Sequence, residues 1–137
     1  MNRLTLKYEL DLDFVLIAIT SQLKDYMLCF KLNRQLNINL YKIDELVIES
    51  NSNEIFFSRY QYQIPESETD VYLLANKGDQ GYLIPEMKRV DYFILIRNYI
   101  SEEEVEQMID DINKLPEILA AIEVDPRKLK SKENLIF

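Results

Sequence analysis

The sequence predicts an α+β fold, a mainly antiparallel sheet of about five or six strands with helices packed on one face. Three observations carry it. The chain opens on a strictly alternating apolar segment, its middle is β-rich and punctuated by turn residues, and a capped helix follows the last long apolar run. At 137 residues it has the size of one domain, which can bury about two thirds of its unfolded surface. The reading places a single α+β domain over residues 1–126 and a basic tail over 127–137.

Leu4, Leu6, Tyr8, Leu10 and Leu12 alternate with Thr5, Lys7, Glu9, Asp11 and Asp13, the period of a half-buried strand. Phe14 to Ile19 fits either a strand buried on both faces or the start of a helix, because Leu12, Leu16, Ile19, Leu23, Tyr26 and Phe30 share a helical stripe. The β-branched Val15, Ile17, Ile19 and Thr20 favour the strand, and Ser21 then N-caps a helix from Gln22 to Leu36. Asn37-Ile38-Asn39 ends that helix.

Glu45 to Glu49 and Ile55 to Tyr62 flank the turn Asn51-Ser52-Asn53 as a hairpin. Asp70 to Asn76 and Gly81 to Ile84 flank Lys77-Gly78-Asp79-Gln80 as a second hairpin. Its two glycines, the chain's full complement, are expected to supply positive φ. Tyr92 to Ile96, five apolar residues between Asp91 and Arg97, reads as a central strand. Ser101 and Glu104 form a capping box for a helix with the buried stripe Val105, Met108, Ile109, Ile112 and Leu115. Pro116 is expected to start a further helix through Ile118, Leu119, Ala121 and Ile122, ended by Asp125-Pro126.

Composition closes many function classes. No histidine is present, which removes the commonest general base and the usual nitrogen ligand for zinc or iron. One cysteine, Cys29, excludes an internal disulfide and thiolate clusters, favours a reducing cytoplasm, and reads as a buried core thiol. Two glycines leave no phosphate-cradling loop. No metal site, cofactor or catalytic residue is expected. No apolar run is long enough to cross a membrane, and no secretory signal pattern opens the chain. Residues 1–126 hold 12 Lys and Arg against 23 Asp and Glu, net -11, whereas 127–137 hold 4 against 1, net +3. So acidic a body disfavours nucleic acid.

Ile84-Pro85-Glu86-Met87-Lys88-Arg89-Val90-Asp91-Tyr92 is the most distinctive stretch. Proline belongs at the end of a strand, so the segment reads as a bend that delivers the chain into the Tyr92 strand. At every specified position it resembles the signature of the IPExxxVDY family of bacterial proteins. That resemblance implies a bacterial protein of this length and supplies no catalytic residues. Ile84, Pro85, Glu86, Val90, Asp91 and Tyr92 are thus motif residues without an assigned role. The tail is the second candidate: Arg127, Lys128, Lys130 and Lys132, then Leu135, Ile136 and Phe137, either fold back on the acidic body or dock on a partner. The leading expectation is a non-enzymatic cytoplasmic interaction or adaptor module, with a protein partner or self-association as a homodimer. The alternative is a small carboxylate-dependent enzyme or small-molecule-binding domain with its site near Glu86, Asp91 and Tyr92.

Overall fold

The structure is a computed structural model and describes residues 11–137, so most of the alternating opening segment lies outside the described residues. Among the described residues six strands, β1 (Val15–Ser21), β2 (Tyr41–Ser50), β3 (Asn53–Ile64), β4 (Thr69–Ala75), β5 (Tyr92–Arg97) and β6 (Ile118–Val124), form one sheet in the order β2-β3-β4-β5-β1-β6. Every neighbouring pair is antiparallel. Two helices, α1 (Asp25–Leu36) and α2 (Glu102–Asn113), pack on one face, giving the α+β class that the sequence predicts.

β5 sits between β4 and β1, with Phe93 opposite both Leu74 and Ala18. Because strand side chains alternate, Tyr92, Ile94 and Ile96 meet Leu28 and Leu32 of α1 and Ile112 of α2. Phe93 and Leu95 point to the opposite face, into a second cluster with Leu83, Ile84, Val90, Leu129 and Leu135. The sheet therefore lies between a helical layer and a layer made of the motif loop and the tail.

Local corrections follow from the geometry. Ser21 belongs to β1 and does not cap α1; its Oγ accepts from Leu23 N at 3.2 Å, and Lys24 occupies the N-cap without a side-chain bond. Asn37, at φ 55°, closes α1. The first hairpin turns on two residues instead of three, since Ser50 pairs with Asn53 while Asn51 and Ser52 take φ 50° and 67°, the two positive values such a tight turn requires. The segment Gly81 to Ile84 adds no strand to the sheet, only one bridge between Lys77 and Tyr82. Neither glycine has positive φ. Their role is close approach: a Cβ on Gly78 would sit 2.8 Å from the Phe56 carbonyl oxygen and 2.9 Å from the Phe57 ring.

The expected helix after Pro116 is strand β6. A bulge opposite Thr20 and Ser21 leaves Leu119 without a partner, so Ile118 and Ala121, three apart, both join the helix-side core. That spacing imitates a helical stripe. A bulge between Ile43 and Leu46 does the same at the other edge, where both residues meet the opposite cluster, and β2 starts at Tyr41, four residues before the expected Glu45.

α2 starts at the expected capping box, Ser101 Oγ accepting from Glu104 N at 3.1 Å and the Glu104 carboxylate from Ser101 N at 3.0 Å. Its last residue closes the sheet edge. The Asn113 amide accepts from Ala121 N at 2.9 Å and donates to Ala121 O at 3.0 Å, the pair of bonds that a seventh strand would make at that residue. Cys29 is buried at 7% exposure, and burial raises its thiol pKa.

Candidate functional site

The motif is built around a residue outside it. Asn76, directly after β4, is fully buried and uses its whole amide. Its Nδ2 donates to Met87 O at 2.9 Å and Val90 O at 2.7 Å, and its Oδ1 accepts from Ile84 N at 2.8 Å. Its own main chain donates to Asp91 O at 2.9 Å and accepts from Leu83 N at 2.8 Å. An irregular loop has no ladder to satisfy its buried backbone groups, and one asparagine satisfies three of them here.

Each specified motif residue then has a structural task. Ile84 and Val90 are core side chains. Pro85 occupies the first turn of a 3₁₀ helix, Pro85–Met87, where a missing N–H costs nothing. Asp91 Oδ2 accepts from Ser21 N at 2.8 Å, across to the end of β1, while its Oδ1 pairs with Lys77 Nζ at 2.9 Å. The hydrogen bond and charge of Asp91 raise the Lys77 pKa. Tyr92 donates its hydroxyl to Leu23 O at 2.6 Å, pinning the β1–α1 connection; burial, with Asp25 and Asp91 nearby, pushes the phenol up to about 12.

Glu86 ties the loop to the tail. Its two carboxylate oxygens accept from Ser131 N at 2.8 Å and Ser131 Oγ at 2.9 Å. Burial acts to raise its pKa, but the hydrogen bonds from Ser131 and the Lys130 amide outweigh it and hold the group below its ordinary value. Asn134 adds a bond to Leu83 O at 2.7 Å. Leu129 and Leu135 are buried in the second cluster.

Phe137 meets the Tyr72 ring edge-on at 5.0 Å. The guanidinium groups of Arg97 and Arg59 lie 4.8 and 5.1 Å from its ring centre, and Arg97 Nη1 donates to its main-chain oxygen at 3.0 Å. The tail folds back on the sheet, with Leu135 and Phe137 engaged there and Ile136 40% exposed.

The structure does not gather the motif into one site. Asp91 and Tyr92 line an open cavity of about 350 Å³ with Ser21, Leu23, Lys24 and Lys77. Glu86 lines a different hollow of about 540 Å³, with Pro85, Met87, Lys88, Arg89 and Val90. Both carboxylates and the phenol already hold internal partners.

What the fold does bring together is charge: the bonds that Ser131 donates to Glu86 join the motif loop, with Lys88 and Arg89, to the tail, with Lys128, Lys130 and Lys132. Arg127, the sixth of the chain's 16 Lys and Arg in these two segments, lines a separate hollow with Leu12, Asp13 and Phe14. Among the described residues only Arg127 of these six has an ion pair, with Asp125 at 3.8 Å. Asn76 is the residue that sequence reasoning missed, whereas Lys88 and Arg89 stood in the motif stretch but outside the candidate residues. The one visible signal was an amide at the end of an otherwise apolar strand.

Among the described residues no cluster of His, Cys, Asp or Glu could hold a metal ion, and no helix is long and apolar enough to cross a membrane. No protein-family model matches this chain, and no curated protein does.

Proposed function

We propose that the chain is a non-enzymatic protein-interaction module of the cytoplasm, related to the IPExxxVDY family through its motif, and that it contacts its partner through the basic surface shared by the motif loop and the tail. One observation carries the reading. Five cations, Lys88, Arg89, Lys128, Lys130 and Lys132, lie in two adjoining segments without an ion pair among the described residues, on a molecule of net charge -8. The motif's carboxylates, Glu86 and Asp91, are held by internal hydrogen bonds and stabilise the fold. Removing the tail is the wrong test, because it would uncover the cluster around Phe93 and Leu95.

The test is capture from native lysate by the full chain and by a variant with Lys88, Arg89, Lys130 and Lys132 changed to Glu. Expected is a protein that the wild type retains and the folded variant loses, reproduced with that protein purified. An identical set of captured proteins would overturn the reading.

A further inference from the structure

The surface has a shape as well as a sign. The motif loop forms the hollow of about 540 Å³, lined by the apolar Pro85, Met87 and Val90 and by Glu86, Lys88 and Arg89. Glu86, held by Ser131, and the exposed Glu133 offset two of the five cations Lys88, Arg89, Lys128, Lys130 and Lys132, so the two segments keep a net charge of +3. Lys128, Lys130 and Lys132 extend the positive charge along the adjoining turn, with Lys128 and Lys130 exposed.

Such a surface offers two contacts of different chemistry a few ångströms apart. Carboxylates answer the cations, and an apolar side chain answers the hollow. A nucleic acid would use the cations and leave the apolar wall unanswered. The exposed aromatic rings on which bases stack lie elsewhere, on α1, on the β2–β3 hairpin and at Tyr99. The acidic remainder of the body would repel a long phosphate backbone and an anionic lipid surface alike.

Resting on the interaction reading above, we propose that this surface binds an acidic segment of a partner protein that seats one apolar side chain in the Pro85–Val90 hollow.

The probe is a short fluorescent peptide of mixed Glu and Leu, titrated with the full chain and compared with a Glu and Ser peptide of equal charge, a single-stranded oligonucleotide of equal charge and phosphatidylserine vesicles. The Glu and Leu peptide is expected to bind best, to weaken as salt is raised, and to lose about tenfold or more in affinity when Lys88 and Arg89 become Glu. Lys42→Glu, on β2, is expected to leave binding unchanged. Equal affinity for the Ser peptide, tighter binding of oligonucleotide or vesicles, or no peptide binding at all would each overturn the inference. The lysate capture stands apart from these outcomes: a partner lost with the basic surface, alongside a negative peptide titration, rejects only the acidic apolar segment, whereas identical capture rejects the surface itself.

Discussion

The two faces of the sheet are covered in opposite ways. On one, α1 and α2 bring their own backbone hydrogen bonds and lay apolar stripes on the sheet, Leu28 and Leu32 from the first, Val105 and Ile112 from the second. One asparagine of each, Asn33 and Asn113, completes a neighbouring backbone residue, Leu40 and Ala121. On the other, the loop from Asn76 to Asp91 and the tail from Arg127 to Phe137 make only short 3₁₀ turns, so several of their backbone groups are paired by side chains: Asn76 for Ile84, Met87 and Val90, Asn134 for Leu83, and, at the surface, Glu86 for Ser131. An irregular cover can be as well packed as a helical one, but its stability is concentrated in a few polar residues.

That concentration can be broken directly. Asn76→Ala leaves the Val90 carbonyl and the Ile84 amide without a partner inside the core and strips the Met87 carbonyl of one of its two bonds, and is expected to cost about 3 kcal/mol or more in urea unfolding. A loss no larger than that of a surface substitution would show that the loop does not depend on it. Gly78→Ala tests packing on the same side. Its Cβ meets backbone oxygen at 2.8 Å and an enclosed ring, and a cost of about 1–3 kcal/mol is expected by the same measurement.

Tyr92→Phe sharpens the comparison from the helical face, where one polar bond supplements an apolar interface. The loss is expected to be about 1 kcal/mol, read from the same unfolding curves. Asn113→Ala belongs to the edge of that face. It frees the Ala121 N–H and C=O for another strand, and light scattering is expected to detect concentration-dependent association absent from the wild type.

Glu86→Gln has the smallest effect, below about 1 kcal/mol at neutral pH, because the group is exposed. Its folded-state pKa is depressed, so its contribution is present above the ordinary value of 4.5 and is lost as pH falls through the lower folded value. The gap in stability between wild type and variant should therefore narrow below pH 4.5. A gap that is constant from neutral to acid pH would mean that the charge on Glu86 contributes nothing.

Legibility followed the same division. β5 and the capped start of α2 were readable because each is specified by adjacent residues, Tyr92 to Ile96 and Ser101 to Glu104. The antiparallel α+β class followed from turns and alternation. β6 was not readable, because its bulge gives Ile118 and Ala121 a helix-like spacing. The motif was visible as a string, but its organiser was not: the amide of Asn76 reaches backbone groups 8 to 14 positions away, which no local pattern encodes. The seat of Phe137 is equally non-local, assembled from Arg59, Tyr72 and Arg97 on three strands.

The late position of the second cover in the chain has a consequence for synthesis. Leu16, Phe93 and Leu95 on the second face are covered by Leu129 and Leu135, which follow every strand and both helices in the chain. A chain interrupted between Val124 and Leu129 would therefore hold all six strands and its helical cover and still present that face to chaperones and proteases.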